Sequence, residues 1–214
     1  MDTLLRRGLA TLNLDSEPQL RQQLQAYLAL LQRWNRAYNL TAVRDPEQMI
    51  VRHLFDSLAL VDIFKTYPGS CLDVGTGAGL PGIPLALALP QRNFCLLDSN
   101  GKKTRFLFQV KTELGLANMT IRNDRVETFR AEGEFDIIVS RAFASLADMV
   151  AHCRHLLARQ GRFMAMKGVY PEVEIAQLPA GIELVAVHEL QVPGLAEQRH
   201  LVELKFANNV ETEG

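Results

Sequence analysis

The chain has 214 residues, of which 48% are hydrophobic and 22% charged, with a formal net charge of −1. That size suits one large domain, or a core domain with a smaller helical extension, and the near-neutral charge argues against sticky, sequence-independent nucleic-acid binding. The least polar run, Leu80 to Pro90, is far too short to span a membrane and carries two internal prolines. The opening "MDTLLRRGLATLNLDSEP" has an early Asp and no long apolar core, so no secretion signal is expected there. Cys71, Cys95 and Cys153 have no metal-type spacing, and the expectation is buried free thiols in a reducing cytoplasm.

Residues 1 to 65 read as helix. Leu20, Leu24, Tyr27, Leu28, Leu31 and Trp34 share one helical face, with Ser16 and Pro18 as start signals. "AYNLTAVRDPEQ" interrupts that pattern, and Asp45-Pro46 opens a new helix carrying Met49, Val51, Leu54, Leu58 and Val61. "YPGS" closes the helical part. From Ser70 the pattern changes to strand, turn, helix: "CLDV" is a strand, and Pro81 to Leu89 a helix. "NFCLLDS" is a second strand followed by helix 101–114, "MTIRND" a third, and "FDIIVSRA" a fourth followed by helix 146–158. "GRFMAMKG" is a fifth, and "IELVAVHELQV" and "RHLVELKFA" form a terminal antiparallel pair.

Strands alternating with helices imply a mostly parallel sheet covered on both faces. Closing it with an antiparallel strand predicts the α/β class I methyltransferase fold, a Rossmann-like sheet. The expected units are a helical N-terminal extension (1–66) packed on a core domain (67–207), with a flexible tail (208–214). In such sheets the ligand binds past the strand C-termini, so the loops from Asp73, Asp98, Asp124, Ser140 and Lys167 share one rim.

The first of those loops, "DVGTGAGLPG", is rich in glycine. Gly77 to Gly82 reads literally as GxGxxG, a dinucleotide fingerprint, but the first turn glycine after the strand is Gly75, which puts Leu80 where the third glycine belongs. What fits from the strand is Asp73 followed by Gly75, Gly77 and Gly79. No Gly-Lys-Ser/Thr of a nucleotide-triphosphate loop is present. An acid at the loop mouth repels a pyrophosphate and suits a cationic cofactor with a carboxylate for backbone N–H groups to hold. S-adenosylmethionine (SAM) has all of these.

Asp98 ends the second strand where a carboxylate can accept both ribose hydroxyls, although the same position also suits a helix N-cap. Asp124 and the Val126-Glu127 backbone are candidates to flank the adenine. After the fourth strand, "SRAF" replaces the Asn/Asp-Pro-Pro-aromatic turn usual in exocyclic-amine methyltransferases, and no cysteine lies on the rim for attack on pyrimidine carbon. An acceptor with its own lone pair, such as guanine N7, remains, and it needs no general base. Between Gly101 and Tyr170 there are twelve Lys/Arg against seven Asp/Glu, and elsewhere eleven against seventeen. A basic middle third in an otherwise acidic chain points to a localised anionic ligand or an RNA face.

"WNRAYNLTAVRDP", "RHLFDSL", "DVGTGAGLPGIPL", "LLDSNGKKTRFL", "RVE", "SRAFASL" and "MKG" occur in this order, and with them the chain resembles the bacterial RsmG (GidB) family from about Leu24 to Phe206. The resemblance implies SAM-dependent N7-methylation of a guanine in 16S rRNA (rRNA position 527, in the decoding-region loop), with S-adenosylhomocysteine as product. It also implies a link between loss of activity and streptomycin resistance. It sets SAM against Gly75, Leu80, Val126-Glu127 and Arg141.

The reaction expected is an in-line displacement, in which holding the reactants about 3–3.5 Å apart supplies on the order of 7 kcal/mol. Because positive charge moves onto the guanine ring, Arg141, Lys102, Lys103, Arg125 and Lys167 are assigned to phosphates, guanine O6 or the SAM carboxylate rather than to N7. Arg141, leaving the fourth strand, is the candidate catalytic residue, and Lys102, Lys103, Arg125 and Lys167 are the candidate RNA contacts. His53 and Asp56 are read as a flap or helix-to-core contact, Asn39 and Thr41 as loop anchors, and Phe143 as a base-stacking or core ring. His152 and His155 lack the further ligands of a metal site, so no metal is expected. The partner the resemblance implies is 16S rRNA, the small ribosomal subunit or its assembly intermediate. A small-molecule methyltransferase and a nicotinamide-dependent oxidoreductase are the alternatives.

Overall fold

A computed structural model of the chain describes residues 2–15, 18–141 and 143–207. The start signal at Ser16, the alanine of "SRAF" and the expected tail at 208–214 lie outside the described residues. Two helices open the fold, α1 (Asp2–Thr11) and α2 (Pro18–Tyr38). The apolar stripe of α2 is its inner face, with Leu20, Leu24, Tyr27, Leu28 and Leu31 all buried. On α1, a Cβ at Gly8 would stand 2.0 Å from the Phe55 ring, so only glycine allows this approach.

The helix start at Asp45-Pro46 is where the sequence puts it. The Asp45 carboxylate accepts the Gln48 N–H at 2.8 Å and Pro46 opens α3 (Pro46–Met49). The continuation departs from the expected α-helical period. A π-helical turn (Ile50–Phe55) carries the chain into α4 (Asp56–Leu58), and α5 (Val61–Lys65) follows. Every residue from Ile50 to Leu58 except Arg52 is buried, because α1 covers one side of the segment and the core the other. The widened turn lets polar His53, Asp56 and Ser57 share that interior with apolar neighbours.

The rest is a seven-stranded sheet: β1 (Cys71–Val74), β2 (Phe94–Leu97), β3 (Met119–Arg122), β4 (Phe135–Ser140), β5 (Leu157–Lys167), β6 (Ile182–Glu189) and β7 (His200–Phe206). Its order is β3-β2-β1-β4-β5-β7-β6, and only β7 runs antiparallel to its neighbours. Between strands lie α6 (Gly82–Ala88), α7 (Gly101–Leu114), α8 (Leu146–Cys153) and the short α9 (Glu172–Ala176). The helix expected over 146–158 stops early: a 3-10 turn (Arg154–Leu156) ends it, and β5 begins at Leu157, which pairs with Phe135 ahead of a register shift. The short α9 has no counterpart among the elements expected from the sequence.

Side-chain alternation splits the core across the sheet. Cys71, Leu96, Ile137, Val139 and Met164 face α2, α6, α7 and the π-helical segment, whereas Leu72, Val74, Leu97, Ile138 and Phe163 face α8. The helices from α1 to α5 thus join the same continuous core as α6 and α7, which brings them to the edge of the β1 crevice. No described helix is long and apolar enough to cross a membrane.

Candidate active site

β1 ends at mid-sheet, between β2 and β4, where crossovers diverge and an open sheet leaves a crevice. The chain turns there through Gly75, Gly77 and Gly79, with φ of 67°, 63° and 90°, a conformation that side chains strain. The N–H groups of Gly75 and Thr76 both donate to the Leu97 carbonyl, at 2.9 and 3.2 Å. Those of Gly79 and Leu80 both donate to the Thr76 carbonyl at 2.9 Å. The Leu80 side chain points into the core.

Asp73 is not at the loop mouth, where sequence reasoning put it, but beneath the loop. One carboxylate oxygen, Oδ2, accepts the Thr76 hydroxyl at 2.6 Å and the Gly82 N–H at 2.8 Å. A Cβ at Gly82 would stand 2.7 Å from that oxygen, so glycine is required for the start of α6 to close down on the acid. Its other oxygen, Oδ1, is buried with no hydrogen-bond partner among the described residues. Burial raises the Asp73 pKa to about 6, opposed by these two hydrogen bonds and by Arg141.

Asp98 clasps the loop from the β2 side. Its oxygens accept the Gly77 N–H at 2.9 Å and the Asn100 N–H at 2.8 Å, and the Lys103 ammonium lies 3.7 Å away. The N-cap of α7 is Asn100, which accepts the Lys102 N–H at 2.9 Å, so Asp98 is not the cap. Beyond the loop opens a cleft of about 310 Å³, lined by Gly75, Asp98, Lys103, Asp124, Arg125, Val126, Glu127 and Phe143 among others. The cleft thus gathers five of the residues expected to meet a cofactor, Gly75, Asp98, Asp124, Val126 and Glu127. Phe143 stacks at 6.1 Å on His152, whose ring faces Glu127 at 3.6 Å.

A second wall, separate from this cleft, comes from the helical segment beside the crevice. Arg141, just past β4, does not line this cleft; its guanidinium meets Asp56 Oδ2 at 3.3 Å and the Arg52 carbonyl at 3.4 Å. Arg199 holds the other Asp56 oxygen at 3.0 Å. Burial still pushes the Asp56 carboxyl above its ordinary value, outweighing both guanidinium groups. His53 accepts or donates at Thr41 Oγ1 (2.9 Å), and its Nδ1 is buried without a partner among the described residues. Burial, then Arg141, lower its pKa to about 4, so the ring is neutral at pH 7. Asn35 accepts the Thr41 N–H at 2.9 Å, while Asn39, at φ 49°, accepts from Arg44 at 2.9 Å.

Of the expected RNA contacts, Lys102 and Arg125 are exposed, and Lys103 turns into the cleft. Lys167 is drawn inward, 2.9 Å from Glu174 and 3.3 Å from the Ala144 carbonyl. No group of three His, Cys, Asp or Glu is arranged to hold a metal among the described residues. Sequence reasoning missed Thr76, Arg199 and Tyr27. Tyr27 lies on an apolar helical stripe and has the signature of a core ring, and Arg199 follows a segment read only as a connection.

The family described as rRNA small subunit methyltransferase G matches residues 20–202. A ribosomal RNA small subunit methyltransferase G from Pseudomonas paraeruginosa is 53% identical over 201 residues, 94% of each chain. One of the same name from Serratia proteamaculans is 53% identical over 206 residues, 96% of this chain and 97% of that one. Among solved structures, a SAM-dependent methyltransferase from Aquifex aeolicus superposes with a TM-score of 0.60 at 16% identity, over 79% of this chain and 97% of that one. The glycopeptide N-methyltransferase MtfA, complexed with SAM, gives 0.59 at 14% identity, over 72% and 95%. The two structures share the class I methyltransferase fold with this chain.

Proposed function

The chain belongs to the rRNA small subunit methyltransferase G family, and from that premise we propose that it methylates N7 of a guanine in 16S rRNA, at the position 527 that the resemblance implies, using SAM. The observation that carries this reading is the glycine turn clasped to Asp98 at the mid-sheet crevice. The residues present suit SAM. A Cβ direction at Gly77 meets nothing nearer than 3.9 Å, so the loop leaves room on its cleft side. Asp73 Oδ1 is a buried acceptor awaiting a donor, and Asp98 presents a carboxylate at the cleft wall.

When bound, SAM supplies an electrophilic methyl carbon on a sulfonium. Gly75, Gly77 and Leu80 of the turn would hold its methionine part, with Asp73 and Gly79 bracing the turn and Lys103 beside it. Asp98 would accept from the ribose, and Asp124, Val126 and Glu127 would flank the adenine. Because guanine N7 carries no proton, the chain needs to orient the base rather than deprotonate it, and the neutral His53 adds no opposing charge. Arg141 is the proposed catalytic residue, delivered by β4 and held by Asp56 until the base arrives. Exposed Lys102 and Arg125 at the rim would take RNA phosphates. The helical extension (1–66) supplies the second wall to the methyltransferase domain (67–207), acting on rRNA in the cytoplasm.

The test is mass mapping of 16S rRNA from cells lacking the protein. One 7-methylguanosine should vanish, return with the wild-type gene, and fail to return with Arg141→Ala, a variant that keeps its fold because Asp56 retains Arg199. An unchanged set of guanine methylations in the deletion strain overturns the reading. Thermal stabilisation by NADH instead of S-adenosylhomocysteine would favour an oxidoreductase.

A further inference from the structure

The peptide between Ala78 and Gly79 is held at both ends. Its orientation turns on ψ of Ala78 and φ of Gly79, which is 90°, and glycine tolerates either sign of φ, so the hydrogen bonds at its two ends rather than backbone stiffness hold it. Its N–H end donates to the Thr76 carbonyl at 2.9 Å. Its carbonyl end accepts the hydroxyl of Tyr27 at 2.7 Å, across 51 residues of chain. Tyr27 is on α2, outside the sheet domain, and is completely buried. Its ring leans on Phe106 of α7 at 6.3 Å, and burial holds its hydroxyl protonated, as a donor, throughout the working pH range.

We infer that Tyr27 is a positioning residue for the cofactor: its hydroxyl sets the orientation of the Ala78–Gly79 peptide, and through it the course of the backbone against which SAM would rest. Thr76 connects this peptide to Asp73, because the same residue accepts from Gly79 and donates its hydroxyl to the buried carboxylate. The helical extension thereby reaches the cofactor loop by one buried hydrogen bond. Removing the hydroxyl leaves a buried carbonyl without its donor and a peptide held only through the Gly79 N–H. The inference rests on the SAM reading of the cleft.

The test is Tyr27→Phe, which keeps the ring and deletes the donor, compared with wild type and with Leu31→Ala, which loosens α2 from the core one turn further along the same face. Affinity for SAM and S-adenosylhomocysteine by calorimetry should fall about fivefold to tenfold in Tyr27→Phe, with KM for SAM rising in parallel and kcat at saturating SAM changing by less than twofold. Amide exchange in the ligand-free protein should quicken over residues 76–82. Leu31→Ala should lower Tm by more than Tyr27→Phe yet weaken SAM binding less than twofold. Equal affinity in Tyr27→Phe and wild type overturns the inference while leaving the SAM reading intact. So does a loss of affinity in Leu31→Ala as large as that in Tyr27→Phe. A wild-type protein that binds no SAM overturns both.

Discussion

The two walls beside the β1 crevice, one on the sheet side and one on the helical side, are built by different means. On the sheet side, the turn after β1 is held by partners close in sequence: Thr76 and Gly82 on Asp73, three and nine residues away, and Gly77 on Asp98, twenty-one away. On the helical side, Asp56 holds Arg141 across 85 residues and Arg199 across 143. The first wall uses backbone donors and glycine conformations, the second charged side chains brought together only by the complete fold. Backbone-held walls are rigid and local. Walls made of buried charge depend on every element that delivers a partner.

Asp56→Ala gives the strongest test of that difference. Burial penalises the Asp56 carboxylate, but its removal leaves two guanidinium groups facing the interior without their partner. Breaking a buried pair costs about 3–5 kcal/mol, with the lower end expected here because Arg141 and Arg199 are partly exposed. For a chain of this size that lowers Tm by about 6–12 °C in calorimetry. Asp62→Ala, which breaks an exposed 3.0 Å pair with Lys65, should stay within about 0.5 kcal/mol of wild type. Equal effects from the two variants would remove the contrast between the walls.

Asp73 on the sheet side and His53 on the helical side are buried groups whose pKa values are displaced in opposite directions. Asp73 titrates near 6 in the fold and about 3.9 when unfolded, so the folded state binds the extra proton between those values and stability falls as pH rises across them. His53 titrates near 4 in the fold and about 6.5 when unfolded, so the unfolded state binds the extra proton and stability rises with pH over that window. Each is worth up to about 3 kcal/mol, and between roughly pH 4 and 6 they oppose. Urea midpoints of Asp73→Asn should therefore climb more steeply from pH 4 to 6 than wild type, and those of His53→Gln less steeply. Parallel profiles for all three proteins would show that the two groups titrate unperturbed.

How much could be read from the sequence follows the same division. β1 at "CLDV", the helix over 101–114, the Asp45-Pro46 start and the strand order after Ser70 all have short-range signatures: alternation, caps, turn glycines. The rim residues Gly75, Asp98 and Val126 came from that grammar together with the family motifs. The π-helical turn did not, because its apolar residues also satisfy an α-helical period and only packing against α1 widens it. Asp73 was given the right neighbourhood and the wrong side of the loop, since spacing locates a carboxylate along the chain but not above or below it. Arg199 and Tyr27 carry no local sign at all: the first is the cation that opens "RHLVELKFA", the second one ring in an apolar stripe.

Asp98→Asn makes the smallest change, and it asks whether the sheet-side wall is shaped for a ligand or only for itself. The carboxylate accepts one backbone N–H on each oxygen, from Gly77 and from Asn100. An amide can satisfy one of these and must turn its own N–H₂ toward the other donor, so either the loop clasp or the start of α7 loses an acceptor. It also loses the charge that Lys103 and a ribose hydroxyl would share. Losing one charge-assisted hydrogen bond while keeping a neutral one is worth about 1.4 kcal/mol, a tenfold weaker Kd for SAM by calorimetry. If Asp98 serves the ribose, the tenfold loss should extend to adenosine, which has the ribose but no methionine to reach the glycine turn. Adenosine binding that is unchanged, with SAM alone weakened, would assign Asp98 to the clasp only, acting on the ligand through the glycine turn it holds.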